Sequence, residues 1–329
     1  ALLFLTGCSA ESSPEPVQGT FFAMDTMMDF TIYGESGLIN QSESLIASLE
    51  SLVSVTDTGS ELYAINQTGS GTLTGKASSL MEQALEICRR TDGALDLSIY
   101  PIVRAWGFTT GSYQVPDEAE IQALLPLVDY RKIQYDAATG TVTVTLPEGM
   151  EIDLGSVAKG YAGQLAAQML REHGVQSALL NLGGNVQTVG TKPDGSPWQI
   201  GIKDPQGEDA MMVLSVEDQA VVTSGGYERY FEQDGQTYWH IMDPSTGHPA
   251  DSGLISVTIV GDEGVVCDGL STALFVMGLE KAADLWAQSG DFEAVFVTAS
   301  GEVYITEGLR DHFALTERYA DTPVSVIER

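Results

Sequence analysis

Apolar positions recur along the chain with two periods, and these periods predict the secondary structure. Helical spacing predicts amphipathic helices over Leu38–Val53 and Ser78–Arg90, with a shorter helix over Asp117–Leu125. Alternation of apolar and polar positions predicts strands. The predicted strands are Gly19–Gly34, Lys132–Tyr135, Thr141–Leu146, Met150–Leu154, Ala178–Leu182, Gln199–Ile202, Met211–Val216, Ala220–Thr223, Thr237–Met242, Leu254–Val260, Ala294–Thr298 and Glu302–Ile305. Thr56–Thr74, rich in Gly, Ser and Thr, is expected to form a loop.

The order of these elements predicts the fold class. Strands follow one another in runs while helices are grouped elsewhere, which favours an α+β fold over a doubly wound parallel sheet. Short turns at Asp136–Gly140 and Pro147–Gly149 join consecutive strands into a meander, so the sheets are expected to be mostly antiparallel. No GxGxxG motif follows a predicted strand, which argues against a dinucleotide-binding fingerprint.

The segment Glu151–Leu170 is the most informative stretch. Its sequence predicts a short strand, a turn at Gly155 and a helix whose N-cap is Ser156. Apolar residues recur every four positions in this helix, and the free amides of its first turn suit an anion. Asp153 and Lys159 flank this position, so one could accept hydrogen bonds while the other meets a phosphate. An ordinary strand–helix unit is the alternative interpretation.

Composition limits the possible partners. The 329 residues suffice for one large domain or two closely packed domains. Fifteen Lys and Arg against 46 Asp and Glu give a formal net charge of −31, which disfavours binding to nucleic acid or anionic lipid. A nucleotide bound to this chain would therefore need local screening by a cation or by oriented amides.

The first residues predict an exported protein. ALLFLTGC is an apolar run that ends at Cys8, and it is similar to the end of a bacterial lipoprotein signal. We therefore expect 1–8 to be a signal remnant with Cys8 lipidated, 9–18 to be a linker and 19–329 to be the functional domain. This places the protein at the cell membrane, anchored by lipid on the extracytoplasmic side.

The other cysteines and the histidines do not point to a metal site. Cys88 and Cys267 form no CxxC motif, and the four histidines are scattered, so a zinc site has little support. Whether the two cysteines form a disulfide is left open by the sequence.

Several motifs could carry chemistry. Paired glycines in Asn181–Asn185 and Thr223–Tyr227 would let the backbone approach a ligand, although both could be simple turns. His240 follows a predicted strand and could move a proton near neutral pH, or it could be structural. Trp106 could stack on a planar ring or belong to the core.

A further motif suits a hard cation. If the segment from Cys267 is helical, Asp268 and Thr272 lie four residues apart on one face, with Ser271 beside them. Oxygen ligands of this kind suit Mg²⁺, which takes few protein ligands and leaves the remaining positions to phosphate and water. The alternative is that Asp268 caps the helix and Thr272 lies on a polar face.

The order of these motifs resembles the ApbE family, the FAD:protein FMN transferases. The matching segments are MDT, WGF, IDLGSVAKGYA, NLGGN, TSGGYERYF, HIMDPSTGHP and CDGLSTALFVMG, and they cover nearly everything from Gly19 onward. The resemblance implies an α+β fold similar to a T-fold, in an exported and often lipidated enzyme. It also implies Mg²⁺-dependent transfer of the FMN moiety of FAD to a Thr or Ser of an acceptor protein through a phosphoester bond, releasing AMP.

The resemblance also implies roles for individual residues. FAD would be bound by Met24, Ala105, Trp106, Gly107, Asp153, Lys159 and Met242; Mg²⁺ would be bound by the Ser156 carbonyl, Asp268 and Thr272; and His240 would be the base. Two positions depart from the family pattern: Ser271 stands where some members have Asp, and Thr56 stands where an aromatic residue often packs on the flavin nucleotide.

Two other functions fit the same residues. With water in place of the acceptor hydroxyl, the site would be an FAD pyrophosphatase giving FMN and AMP. A flavin-binding lipoprotein without catalysis is the third possibility, although pure binding needs no base. The resemblance to the family implies an acceptor protein, and an electron-transfer subunit is the expected one.

Overall fold

The computed structural model describes residues 15–329, and it has the α+β fold that the sequence predicts. Most helices follow one another in groups or are separated by runs of strands, although the single strand Ser70–Thr74 lies between two helices. Within the described residues they are α1 (Gly37–Val53), α2 (Glu61–Thr68), α3 (Gly75–Arg90), α4 (Tyr100–Ala105), α5 (Glu118–Leu124), α6 (Gly155–Glu172), α7 (Gly264–Met277) and α8 (Leu279–Ala287).

The strands form one large sheet and three small ones. They are β1 (Val17–Ala23), β2 (Thr26–Ile32), β3 (Ser70–Thr74), β4 (Gln134–Ala138), β5 (Thr141–Thr145), β6 (Ser177–Leu182), β7 (Asn185–Gly190), β8 (Trp198–Lys203), β9 (Ala210–Val216), β10 (Ala220–Gly225), β11 (Tyr230–Gln233), β12 (Gln236–Trp239), β13 (Leu254–Gly261), β14 (Phe292–Thr298), β15 (Val303–Thr306), β16 (Phe313–Leu315) and β17 (Val324–Ile327). Between residues 15 and 329, the large sheet has nine strands in the order β1-β2-β6-β7-β10-β13-β14-β15-β17. Its pairs are antiparallel except β15 with β17, which confirms the predicted antiparallel character.

The central strands of the large sheet are buried on both faces. In β14, Ala294 and Phe296 belong to the main core, whereas Val295 and Val297 face a second apolar cluster. Successive side chains of a strand point to opposite faces, so this alternation places helices on one side and the small sheet β16-β9-β8 on the other. The long helices therefore share one face of the sheet, where the predicted motifs also lie.

Four local predictions are wrong. Gly19–Gly34 is not one strand but a hairpin of β1 and β2, because the chain turns at Met24 and Asp25. Met150–Leu154 is not a strand but an irregular segment that leads into α6. The N-cap of α6 is Leu154, not Ser156, and its side chain makes no capping bond; Asp153 Oδ1 instead accepts the amide of Gly155 at 2.8 Å. Thr56–Thr74 is not all loop, since it contains α2 and β3, and α2 is capped by the Ser60 side chain.

The structure describes only part of the N-terminal segment for which the sequence makes predictions. Cys8 and the proposed signal remnant lie outside the described residues, while β1 begins at Val17, inside the predicted linker. In the part of the chain from residue 15 onward, no helix is long and apolar enough to cross a membrane.

Cys88 and Cys267 are both buried and are not bonded to each other. Burial raises the pKa of the Cys88 thiol to about 12 and raises the pKa of Cys267 as well. Both thiols are therefore protonated and unreactive at neutral pH.

Candidate active site

A cavity of about 430 Å³ opens where the long helices meet one end of the large sheet. It brings together residues that lie far apart in the sequence, from the β1–β2 turn to α7. Eight of the predicted site residues line it: Met24, Asp153, Ser156, Lys159, His240, Met242, Asp268 and Thr272.

The position of Asp268 follows from the contact between α6 and α7. A Cβ atom on Gly160 would lie 2.1 Å from the carbonyl oxygen of Gly264, and a Cβ atom on Gly264 would lie 2.4 Å from that of Gly160. Only glycines allow two helix backbones to approach this closely. The Asp268 carboxylate consequently reaches across to α6, where its Oδ2 accepts the Gly160 amide at 2.8 Å.

The Ser156 carbonyl lies one turn before this bond. In a regular α-helix the Gly160 amide would donate to the carbonyl four residues earlier, which is that of Ser156. A carbonyl oxygen has two lone pairs, so the Ser156 carbonyl has lone-pair capacity for a partner outside the helix. Ser156 lies in the first turn of α6 and lines the cavity.

Thr272 and two serines complete a cluster of oxygens. Thr272 lies one turn after Asp268 in α7, and its Oγ1 is 3.3 Å from Oγ of Ser224 at the end of β10. Ser271 is fully buried; its hydroxyl donates to the Asp268 carbonyl at 2.8 Å and lies 2.7 Å from Ser224 Oγ. Ser271 is therefore held inside the protein and does not line the cavity.

The donor set fits a hard cation. Asp268 is only 4% exposed, and burial raises the pKa of its carboxyl, so its charged form needs a positive partner. Among residues 15–329, no three His, Cys, Asp or Glu side chains gather as a metal site. A cation here would rely on one carboxylate with neutral oxygens of Thr272 and Ser156, which is the composition that Mg²⁺ accepts when phosphate and water supply the other ligands.

Lys159 provides positive charge in the cavity. It projects from the first turns of α6 and makes no ion pair within the described residues. Burial raises the pKa of three cavity carboxyls and lowers the pKa of one histidine, while the charge of Lys159 lowers the pKa of all four groups. The carboxyls are those of Asp153, Glu228 and Asp268, and the histidine is His240. The Lys159 ammonium thus acts electrostatically on all four groups, and without an ion-pair partner in the described residues it is available to an anionic ligand.

His240 is held in one tautomer. Its Nδ1 is 3.1 Å from the carbonyl oxygen of Arg229, and its backbone amide donates to the same oxygen at 3.0 Å. A carbonyl oxygen can only accept, so Nδ1 carries the proton and Nε2 has a free lone pair. Desolvation lowers the pKa of His240 to about 4, so the ring is neutral at pH 7 and can accept a proton.

The turn that carries Met24 is shaped by its backbone. Ala23 pairs with Thr26 in the β1–β2 hairpin, and the two residues between them, Met24 and Asp25, have φ of 49° and 57°. A two-residue hairpin turn with positive φ at both positions usually contains glycine or asparagine. Methionine and aspartate in this conformation, at the edge of the cavity, are typical of a functional site.

The predicted segment Ala105-Trp106-Gly107 does not line the cavity. Trp106 is fully buried in a separate apolar cluster, where its Nε1 donates to the Gly247 carbonyl at 2.9 Å and its ring packs against Tyr238. Trp106 is thus a core residue that supports the loop after Met242, and it is not the wall for a planar ring. Phe108, two residues later, lines the cavity instead.

Sequence reasoning left several polar cavity residues without a role. Four of them are Asn185, Ser224, Glu228 and Arg229. Arg229 connects two parts of the site, because its side chain donates to the Phe108 carbonyl and its own carbonyl holds His240. All four lie in the NLGGN and TSGGYERYF motifs, so the paired glycines were the available signal.

Comparison with known proteins agrees with this arrangement. The model of the ApbE family matches residues 24–296, which include every residue that lines the cavity. The chain belongs to the ApbE family. Among its curated ApbE relatives, the FAD:protein FMN transferase of Klebsiella pneumoniae is 35% identical over 285 residues, covering 85% of this chain and 88% of the relative. That of Treponema pallidum is 34% identical, covering 82% and 79%.

Solved ApbE structures have the same fold. The ApbE protein from Thermotoga maritima superposes with a TM-score of 0.84 at 31% identity, covering 91% of this chain and 99% of that one. The flavin transferase ApbE from Vibrio cholerae superposes with a TM-score of 0.81 at 26% identity and the same coverage. These matches confirm the resemblance and the α+β architecture expected from the motifs.

Proposed function

We propose that this chain is an FAD:protein FMN transferase, which moves the FMN moiety of FAD to a Thr or Ser hydroxyl of an acceptor protein and releases AMP. The observation that carries the proposal is the position of His240. Its unprotonated Nε2 belongs to the same cavity as an unpaired ammonium on Lys159 and a buried carboxylate on Asp268, within the part of the chain that the structure describes. A base, a cation and an anionic oxygen ligand are what phosphoryl transfer from a pyrophosphate requires.

Binding of FAD would use both polar and apolar walls. The Lys159 ammonium would meet a phosphate oxygen, while Asp153 would accept hydrogen bonds from the adenine or ribose side. Met24 and Met242 would contact the rings, and Phe108 takes the place that the sequence assigned to Trp106. Thr56 at the cavity wall is not an aromatic residue that could cover the nucleotide.

Mg²⁺ would be held by Asp268, Thr272 Oγ1 and the Ser156 carbonyl. The chemistry that it would supply there is neutralisation of charge on the phosphoryl oxygens and on the AMP leaving group. Such a cation would also reduce the electrostatic repulsion between a pyrophosphate and a chain with a net charge of −31.

The transfer is an in-line substitution at the FMN phosphorus. The acceptor hydroxyl oxygen forms the new P–O bond while the bond to the AMP oxygen breaks, and the hydroxyl proton moves to His240 Nε2. The Arg229 carbonyl stabilises the resulting imidazolium through Nδ1–H. General-base catalysis of this kind contributes typically about 10²–10⁴-fold to the rate.

The test follows acceptor mass and AMP together. The purified chain is mixed with FAD, Mg²⁺ and a candidate acceptor protein, with an acceptor lacking the Thr or Ser as the control. A mass gain of one FMN unit with equal release of AMP, lost without Mg²⁺, is expected. Release of AMP and free FMN with no modified acceptor would make the chain an FAD pyrophosphatase. No AMP from any acceptor would favour a binding protein.

The cellular location belongs to the same proposal. Cys8 would carry the lipid that anchors the enzyme at the extracytoplasmic side of the cell membrane, where it would modify an electron-transfer subunit. The support is the apolar run before Cys8 and the polar tract after it. Mass spectrometry of the N-terminal peptide from a membrane fraction tests this: an acylated Cys8 is expected, and an unmodified Cys8 would contradict it.

A further inference from the structure

Ser224 is a cavity residue to which the proposed function gives no role. It lies near the end of β10, the strand on which α7 packs, so its hydroxyl meets the helix that carries two of the proposed cation ligands. Its Oγ is 2.7 Å from Oγ of Ser271 and 3.3 Å from Oγ1 of Thr272. Three hydroxyl groups, one from a strand and two from a helix, therefore meet beside the cavity.

The direction of the hydrogen bonds among these hydroxyls follows from the number of protons, because each hydroxyl has only one to donate. The proton of Ser271 is used on the carbonyl oxygen of Asp268, at 2.8 Å. In the short contact between Ser224 and Ser271, Ser224 must consequently be the donor. Its proton is then used as well, so in the contact between Ser224 and Thr272 the Thr272 hydroxyl donates and the Ser224 oxygen accepts.

This direction suits Thr272 as a cation ligand. A hydroxyl oxygen binds a cation through a lone pair, and its proton must point away from the ion because like charges repel. Within the described residues, Ser224 is the hydrogen-bond partner of the Thr272 hydroxyl. The proton is thereby held toward β10, and the lone pairs of Oγ1 stay free for the cavity that Thr272 lines.

We infer that Ser224 is a positioning residue for Thr272: it accepts the hydrogen bond of the Thr272 hydroxyl, so that the Thr272 oxygen offers its lone pairs to the cation. The inference rests on the proposed function, because it assumes that Thr272 and Asp268 bind a cation. It also gives Ser271 a role, since the Ser271 oxygen accepts the hydrogen bond of Ser224 and leaves the Ser224 oxygen able to accept in turn.

The experiment measures binding of Mn²⁺ alone to the purified chain by electron paramagnetic resonance, without FAD or acceptor. Because a chain with a net charge of −31 also attracts Mn²⁺ to its surface, Asp268→Asn identifies the signal of the cavity site. Ser224→Ala is expected to weaken binding at that site about 10–100-fold, the usual effect of removing a group that orients a ligand. Ser224→Thr, which keeps the hydroxyl, should retain most of the affinity.

Ser42→Ala is the matched control for stability. Ser42 is fully buried on α1, and its hydroxyl donates to the Leu38 carbonyl at 2.8 Å, but it does not line the cavity. Both substitutions remove a hydrogen-bonded serine hydroxyl, so both should lower Tm slightly. Only Ser224→Ala should also weaken Mn²⁺ binding.

A double-mutant cycle tests whether Ser224 acts through Thr272. Thr272→Val removes the proposed ligand oxygen and keeps the shape of the side chain, so it should weaken Mn²⁺ binding at least as much as Ser224→Ala does. In the Thr272→Val background, Ser224→Ala should have less than about a twofold further effect. A serine with a purely structural role would instead give the same loss in both backgrounds.

Three results would overturn the inference. They are Mn²⁺ affinity of Ser224→Ala within about twofold of the wild type, an equal loss in Ser42→Ala, or losses from Ser224→Ala and Thr272→Val that simply add. In each of these cases the proposed cation site itself would stand. If the wild-type chain binds Mn²⁺ no better than Asp268→Asn does, the proposed cation site fails and the inference fails with it.

Discussion

The amide of Gly160 donates to the Asp268 carboxylate over 2.8 Å because helices α6 and α7 touch backbone to backbone at Gly160 and Gly264. The bond joins residues 108 positions apart. It links the packing of the core to the chemistry of the cavity, since any change that separates the two helices also moves the carboxylate.

Gly160→Ala is expected to destabilise the protein by at least about 1–3 kcal/mol, because the new methyl group would overlap the Gly264 carbonyl and Asp268 Cβ. Gly163→Ala in the same helix is the control. Its Cβ would lie at ordinary contact distance, 3.4 Å, and alanine favours the helix by about 1 kcal/mol. Chemical denaturation measures both variants, and equal stability would contradict the role of the close helix contact.

Asp268→Asn should lower Mg²⁺-dependent release of AMP from FAD by at least about 100-fold, since a cation bound there contributes several kcal/mol to phosphoryl transfer. Asparagine keeps an oxygen that can accept the Gly160 amide, so the fold should survive. The measurement is AMP formed over a range of Mg²⁺ concentrations, with thermal unfolding as the check on folding. If this variant released AMP at the wild-type rate, Asp268 would not be a ligand of the cation.

Lys159→Met should weaken FAD binding about 10–100-fold, because a charge-assisted hydrogen bond to phosphate contributes about 1.5–3 kcal/mol. Riboflavin, which has no phosphate, should bind the variant and the wild type equally. Flavin fluorescence titration gives both affinities. Lys281→Met, on the exposed surface of α8, serves as the control and should change neither. If riboflavin affinity fell as much as FAD affinity, Lys159 would have another role.

His240→Gln should lose most transfer activity and should also change how stability depends on pH. Folding lowers the pKa of His240 from 6.5 to about 4, so between these values the unfolded chain binds more protons than the folded chain. The stability that this residue contributes is therefore complete above pH 6.5 and is lost as pH falls from 6.5 to 4, by about 3 kcal/mol.

The check is the free energy of unfolding of wild type and His240→Gln at several pH values. The wild type should lose more stability than the variant between pH 6.5 and 4. If the free energy of unfolding fell equally with pH in both proteins, the pKa of His240 would be the same in the folded and unfolded chains. The burial that keeps Nε2 unprotonated would then be disproved.

Cys88 and Cys267 should not react with thiol reagents in the folded protein, because burial raises the pKa of both thiols and keeps them protonated. Peptide mapping by mass spectrometry after alkylation distinguishes them from Cys8. Modification of both is expected only in denaturant. Rapid alkylation of either one under native conditions would show that the core opens there.

The sequence by itself determined the class of fold and most of the cavity. Period-two alternation predicted the central strands, and the four-residue spacing of Asp268 and Thr272 placed both on one side of a helix, as α7 confirms. These predictions succeed because local periodicity reports which side of an element is buried. The order of the motifs was sufficient to indicate the ApbE family.

Only the tertiary structure decided which residues meet. Trp106 is buried in the core, whereas Phe108 lines the cavity. The local sequence does not determine which of these two aromatic residues faces the cavity. Ser156 looked like a helix cap, but the chain before it is held by Asp153 and Leu97. The contact of Gly160 with Gly264 and the hydrogen bond from Gly160 to Asp268 join segments that are far apart in the chain. Periodicity carries no information about such partners, because long-range packing selects them.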